Sequence, residues 1–437
     1  GGKRGRKRFE QNPLFPLAFP RRECYCIGSF LSANEDGTVM KKHSIIPASL
    51  HNPGTQILTL SAAHFMVDLL GGTLPGVLPV ALRHFNLNLG LGVVILTSMS
   101  IGCNIMQIPA ALLDRHHRTP RLLALGLAMA GMIVLLAAMP ETTPFFLICL
   151  LMLIVGAGIA IVHPLGLRGT QHVTRIAPSI TTPAFMTSGF LGSAIGPWIS
   201  ALLVSSWGLQ GMFFLLIPVV ILILALRFTN VKLALDRSST PKPEDPAKAE
   251  QKEELPPWSF RSLMLIAFLL NMGSITIQNL LPTWLVNDLG LGLPFGGLSA
   301  MLFGAGSAAG SLTIGVLIRK RPAKPFILGG LALGVPVLIG YLLLAQYRPA
   351  ALLICLAGLL ASSGYPILVA MARNAEGGPG LSARMALIVG GTWGMAGIML
   401  LPIGQLAYRI GLAPVMHLSW ICYLLTLIAA LLTQKRR

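Results

Sequence analysis

Apolar runs long enough to cross a bilayer recur roughly every thirty residues along this 437-residue chain, at about 56–83, 90–113, 121–139, 144–166, 179–204, 209–228, 259–286, 295–318, 326–346, 349–371, 382–407 and 412–432. A hydrocarbon core about 30 Å thick takes about 20 apolar residues per helical crossing. Lipid offers no partner to an open strand edge, so runs of this kind must be helical. The pattern predicts an all-α membrane protein with twelve transmembrane helices. Composition agrees: 54% of the residues are hydrophobic, 11% are charged and the mean hydropathy is +0.73. That is too apolar for a water-soluble fold of this length.

Two segments break the rhythm. Residues 1–54 open with Lys3, Arg4, Arg6, Lys7 and Arg8 and continue with scattered Pro, Gly and charge, which reads as a disordered basic tail. Position 1 is not Met, whereas Met40-Lys41-Lys42 precedes the first span as a natural start would, so residues 1–39 read as a non-native or misassigned upstream extension. A cleaved signal peptide is not expected, because the apolar stretch Leu14 to Phe19 is short and broken by Pro16. Residues 229–258, rich in Lys, Glu, Asp and Pro, read as a solvated linker. They divide the rest into an N-terminal six-helix bundle, 55–228, and a C-terminal one, 259–433.

The net charge of +18 raises the possibility of nucleic-acid binding, but the basic residues lie between apolar spans and form no basic face. Of the 33 Lys and Arg, only Arg83, Arg348 and Arg409 fall in one set of alternate loops; the other 30 occupy the opposite set, the linker and the two termini. By the positive-inside rule both termini are cytoplasmic in a multi-pass inner (plasma) membrane protein. Cys103, Cys149, Cys355 and Cys422 are isolated in apolar spans, and Cys24 and Cys26 have no second cluster to complete a zinc or disulfide framework. No metal and no cofactor is expected.

The two halves echo one another. Leu74-Pro75-x-x-Leu78 recurs as Leu281-Pro282-x-x-Leu285, and His163-Pro164 has a counterpart in Tyr365-Pro366. Gly189, Gly192 and Pro197 match Gly394, Gly397 and Pro402 at a constant offset of 205 residues. With six spans per half, the repeats run parallel, related by an axis along the membrane normal. Such a duplicated body with a central interface is what alternating access requires.

The chemistry concentrates in span one, which reads Ser61-Ala-Ala-His64-Phe-Met-Val-Asp68-Leu-Leu-Gly-Gly-Thr73-Leu-Pro75 and carries a second proline at Pro79. A carboxylate at mid-membrane costs about 2.5–3.5 kcal/mol on insertion scales, so Asp68 is expected to face a cavity or a partner. His64, one turn earlier, shares its helix face. A coupled pair of this type can hold a proton and release it when the cavity opens to the other side. The bland alternative is a kinked helix whose two polar groups satisfy one another. Asp68 is the expected proton carrier, with His64 and His163 as coupling partners. Arg168, at the inner mouth of span four, is expected to anchor that helix end to a loop carboxylate or a lipid phosphate.

Between spans two and three stands Ala110-Ala-Leu-Leu-Asp114-Arg115-His-His-Arg118-Thr-Pro-Arg121. It resembles the Gly-x-x-x-Asp-x-x-Gly-Arg-x-Gly-Arg loop of the major facilitator superfamily, with Ala110, His117 and Pro120 in place of the glycines. The resemblance implies a conformational latch made by Asp114 with Arg115, Arg118 and Arg121. Span five, Gly189-Phe-Leu-Gly192-Ser-Ala-Ile-Gly196-Pro197, has the small-residue spacing of close helix packing. It is also similar to the antiporter signature of that superfamily. His64-x-x-x-Asp68 together with Gly156-x-Gly158-x-x-x-x-His163-Pro164-x-x-x-Arg168 resembles the fosmidomycin-resistance branch, mainly over the first half; Leu165 stands where that branch commonly has an acid.

The resemblance implies that spans one, four, seven and ten line a substrate cavity. Span seven then contributes Asn271, Gln278 and Asn279, which share one face, and span ten Ser362, Ser363 and Tyr365; Trp284 and Trp393 could stack on a ligand. A cavity with one acid, histidines and amides but no deep cation suits neutral, amphipathic or weakly cationic compounds. The expected activity is proton-coupled efflux antiport of a small organic molecule, with proton-coupled uptake of a metabolite as the alternative and a non-transporting receptor or scaffold as the reading from another class. The partners are the substrate, protons and the bilayer, the chain acting as a monomer without nucleic acid. An enzyme would need a nucleophile, metal cluster or acid pair, and an ATP-driven pump a phosphate-binding loop, neither of which the sequence offers.

Overall fold

The computed structural model describes residues 52–107, 109, 121–171, 173, 176, 178–229, 231, 256–318 and 322–434. Every regular element among them is helical. The first half supplies α1 (Pro53–His84), α2 (Leu89–Ile105), α3 (Arg121–Gly131), α4 (Phe145–Gln171), α5 (Pro178–Trp207) and α6 (Leu216–Phe228). The second supplies α7 (Phe260–Asn287), α8 (Leu293–Leu317), α9 (Lys324–Leu344), α10 (Ala351–Ala357), α11 (Tyr365–Ala372), α12 (Leu381–Ala386), α13 (Thr392–Ile410), α14 (Leu412–His417) and α15 (Trp420–Leu432).

Nine helical stretches among the described residues are long and apolar enough to cross a membrane, which makes this a multi-pass membrane protein. Leu89–Ile105 and Arg121–Ala137 are apolar but shorter. One of the nine, Ile180–Phe228, is 49 residues long, well beyond a single crossing. It is interrupted at Gly208, whose φ of +63° suits glycine and ends α5, and continues through a 3₁₀ segment, Gly208–Leu215, into α6.

Local chemistry sets the helix ends. Asn52 caps α1 through its side-chain oxygen, which accepts from the Gly54 N–H at 2.7 Å, and Pro53 occupies the first turn. Ser259 caps α7 in the same way through the Ser262 N–H. Between α10 and α11 the chain makes a π-turn, Gly358–Ser362, and between α12 and α13 a second, Leu387–Gly391. Wide turns free backbone carbonyls, and hydroxyls serve them here. Ser311 donates to the Ser363 carbonyl at 2.8 Å, while Thr392 and Tyr365 both donate to the Ile388 carbonyl, at 2.6 and 3.2 Å.

Packing follows the small residues. α1 lies chiefly against α5, because Gly192 and Gly196 let the two backbones meet: a Cβ on Gly192 would strike the Phe65 carbonyl, and one on Gly196 the Leu69 carbonyl. Within the first half α2 and α3 both pack on α4; within the second, α7 meets α13, α8 meets α10 and the π-turn after it, and α9 meets α10. The halves meet chiefly through α5 with α8 and α2 with α13, and α1 also touches α7 and α8.

Candidate functional site

Between these helices lies a cavity of about 380 Å³. Its wall runs from His64 to Pro75 on α1, from Leu96 onward on α2, from Leu270 to Asn279 on α7 and from Ala300 to Ser311 on α8. At the Pro75 end it closes where helices touch through backbone. A Cβ on Gly76 of α1 or on Gly297 of α8 would strike the same carbonyl, that of Pro197. The cavity therefore extends toward the end of the molecule that carries the start of α1.

Asp68 sits in the α1 wall, 17% exposed, bracketed by two histidines. His64 Nε2 is 3.4 Å from Asp68 Oδ2, and His163 Nε2, from α4, is 3.2 Å from Asp68 Oδ1. Both line the cavity, His163 partly exposed there and His64 buried, stacked on Phe185 at 4.0 Å between ring centroids and edge-on to His163 at 4.9 Å. The other nitrogen of each ring is fixed. His64 Nδ1 bonds the Phe185 carbonyl at 2.7 Å and His163 Nδ1 the Ile159 carbonyl at 2.9 Å. A carbonyl only accepts, so each Nδ1 must carry the hydrogen, and both Nε2 atoms point at the carboxylate. A neutral ring in this tautomer presents a lone pair to a carboxylate oxygen. Attraction then requires a proton or another cation between them, and His64 Nε2 has no hydrogen-bond partner of its own.

Gly189 makes room for this arrangement. A Cβ there would lie 2.5 Å from both Asp68 Oδ2 and His64 Nε2 and closer still to His64 Cε1. Span five thus does more than pack: its first signature glycine abuts the ionisable pair. Pro197, three residues beyond Ala194, forms part of the cavity wall and of its closed end.

The cavity also collects Asn271, Gln278 and Asn279 from α7, Ser362 from the first π-turn and Tyr365 from α11. Asn271 is fully buried and donates to Thr392 Oγ1 at 2.9 Å, leaving its oxygen without a partner. Trp393 lines the same wall, its ring edge-on to Tyr365 at 5.7 Å. Trp284 does not line it; that ring is buried beside His417. Arg168 lies in the last turn of α4, away from the cavity lining. Asp114, Arg115 and Arg118 of the loop motif lie outside the described residues, and Arg121 opens α3. Sequence reasoning missed Ser100, Asn104 and Gln107, which line the cavity from span two. Their spacing of four and then three residues places them on one helix face and is the signal that could have found them.

A family model for the Major Facilitator Superfamily matches residues 60–389. The chain belongs to the major facilitator superfamily. It is accordingly a transporter, not an enzyme. The fosmidomycin resistance protein of Escherichia coli (strain K12) is 20% identical over 352 residues, covering 80% of this chain and 85% of that protein. The fold is shared with several solved members. The nucleoside transporter NupG superposes with a TM-score of 0.66 at 13% identity, covering 87% of this chain and all of that one. A bacterial homologue of the human lysosomal transporter Spinster, in an inward-facing and unoccupied conformation, gives 0.65 at 15%, covering 88% and 98%. A D-xylose–proton symporter gives 0.63 at 15%, covering 88% and 97%.

Proposed function

We propose that this transporter is a proton-driven exporter of a small organic molecule, working by alternating access, with its cavity here open to the cytoplasm. The observation that carries the reading is the carboxylate of Asp68 held between two histidine Nε2 atoms in the wall of a central cavity. A carboxylate in that position costs least when a proton is shared with it, and it can exchange that proton only with the compartment the cavity faces. Substrate and proton then compete for one inward-open state, which is the basis of antiport.

Twelve crossings in two parallel repeats account for the helices. The long stretch from 180 to 228 folds as two, and the pairings α1–α5, α2–α4 and α3–α4 have counterparts in α7–α13, α8–α10 and α9–α10. The contacts α5–α8 and α2–α13 are likewise exchanged by the repeat axis. The asymmetry of Lys and Arg between alternate loops favours cytoplasmic termini in a plasma-membrane protein, and on that reading the end toward which the cavity extends is the inner one. We read the protein as a monomer with the latch Asp114–Arg115–Arg118–Arg121 at its cytoplasmic face. The cavity side chains, one acid with histidines, amides and hydroxyls, favour neutral, amphipathic or weakly cationic substrates. The resistance protein from Escherichia coli among the relatives favours export; the D-xylose–proton symporter among the fold neighbours favours the second reading, proton-coupled uptake through the same site.

Proteoliposomes carrying a pH-sensitive dye test the proposal. Candidate compounds are added to wild-type protein and to Asp68→Asn, both shown to be monodisperse. Substrate-linked proton movement that vanishes in Asp68→Asn is expected. Equal proton movement in both would overturn the role of Asp68, and the sign of the pH change separates export from uptake.

A further inference from the structure

We infer that His64, Asp68 and His163 form a binding site for one divalent transition-metal ion of the zinc type, and that an ion bound there blocks transport. The inference deepens the proposed coupling site, since both occupy the same three side chains. The donor atoms of the three residues all lie within 4.8 Å of one another. For tetrahedral bonds of about 2.0–2.1 Å the distance between neighbouring ligand atoms is about 3.3 Å. The two Nε2-to-carboxylate distances, 3.4 Å to Oδ2 and 3.2 Å to Oδ1, are close to it; each runs to a different oxygen, so the carboxylate either chelates the ion or turns to offer one oxygen to it. Two imidazoles and one carboxylate suit zinc, copper or nickel rather than the oxygen-seeking magnesium and calcium.

The surrounding shell points the same way. A metal-ligating histidine characteristically donates its other ring N–H to a carbonyl or carboxylate, which fixes the tautomer and aims the free lone pair at the ion. Both rings here do so, to the Phe185 and Ile159 carbonyls. His64 Nε2, otherwise buried without a hydrogen-bond partner, gains a ligand bond. Three protein ligands leave the fourth position open to the cavity, where water or a substrate donor atom completes it. With both rings neutral the donor set carries one negative charge, so a divalent ion brings the site to +1, the same charge as two protonated rings around the carboxylate. The ion thereby takes the place of the transported protons.

The test is calorimetric titration of zinc chloride into full-length protein in detergent, paired with zinc added to the proteoliposome assay. One ion per chain is expected, with affinity lowered by more than about tenfold in Asp68→Asn and in His163→Gln, since losing a ligand costs more than losing its outer-shell support. Cys103→Ser, which removes a thiol in the same cavity, should bind as wild type does. Wild-type protein that takes up no zinc, or zinc binding undiminished in whichever of the two variants remains folded, overturns the inference. Failure of the coupling reading is distinguishable: zinc then still binds through the triad although wild-type protein moves no protons. If instead Asp68-dependent proton movement continues with the zinc site filled, the blocking role falls and the coupling reading stands.

Discussion

The sharpest prediction concerns a single methyl group. In Gly189→Ala the new Cβ would sit 2.5 Å from Asp68 Oδ2 and from His64 Nε2. An unstrained carbon contact to these atoms needs about 3.4 Å, so something must move by close to 1 Å. The ring of His64 has little freedom to yield, being stacked on Phe185 and bonded through Nδ1 to the Phe185 carbonyl on the same helix as residue 189. Overpacking of this kind costs about 1–3 kcal/mol, a factor of about 5 to 150 if it falls on the coupling geometry. The repeat supplies the control. Gly394, the counterpart 205 residues on, would place its Cβ 3.3 Å from Asn104 Cβ and near nothing else but that residue, so Gly394→Ala should be mild. The assay is substrate-linked proton movement in proteoliposomes, read beside a melting curve of each variant. Loss of at least about fivefold in Gly189→Ala with near-wild-type function in Gly394→Ala is expected. Equal effects of the two substitutions would refute the reasoning, because they would show that a methyl group disturbs general helix packing at either repeat position, not the ionisable pair in particular.

Further outcomes follow from other contacts. Gly297→Ala pushes α8 off the Pro197 carbonyl, so the closed end of the cavity should open more often; a cysteine placed at cavity residue Ser307 should then react more slowly with a reagent supplied from the cytoplasmic side, and faster or unchanged labelling would count against the assigned orientation. Partial desolvation raises the carboxyl of Asp288, an exposed residue at the end of α7, above its ordinary 3.8, opposed by a hydrogen bond from the Ala413 backbone. Its contribution to stability is present below the ordinary value and is lost as pH rises through the raised one. Asp288→Asn should therefore raise the melting temperature at neutral pH and lose that advantage in acid, whereas a pH-independent change would contradict the desolvation argument. Tyr423→Phe removes a buried hydroxyl 3.1 Å from Ser274 Oγ, which in turn sits 2.7 Å from Ser362 Oγ. The loss should be about 1 kcal/mol, visible as a lower melting temperature with proton movement intact; an unchanged melting temperature would mean the hydroxyl contributes nothing.

Much of this molecule can be read from its chain because lipid imposes a length and a hydropathy on every crossing. The apolar runs mark the helices closely, and the i, i+4 spacing of His64 and Asp68 makes their pairing a matter of helix geometry. What cannot be read locally is the arrival of His163, 95 residues further on, because helix packing alone decides which face of α4 meets α1. Gly189 illustrates the same limit: its spacing from Gly192 announces a close approach but not which atoms are approached. Ser100, Asn104 and Gln107 are a different case, a polar stripe within an apolar run that helical spacing does reveal. The π-turns at Gly358–Ser362 and Leu387–Gly391 have no such signature, since they are made possible by hydroxyls from α8, α11 and α13 that serve the freed carbonyls.

Those two turns give the cavity walls of different construction. On one side α1 and α5 are interlocked backbone to backbone, and each imidazole is pinned by a carbonyl. On the other, Tyr365 and Trp393 follow turns whose hydrogen bonding depends on side-chain hydroxyls that can change partner. Under the proposed function, recognition and energy conversion fall to these two different faces. If Asp68 carries the proton as proposed, the face that holds it and the face that meets the substrate are built differently, and a change in one need not alter the other.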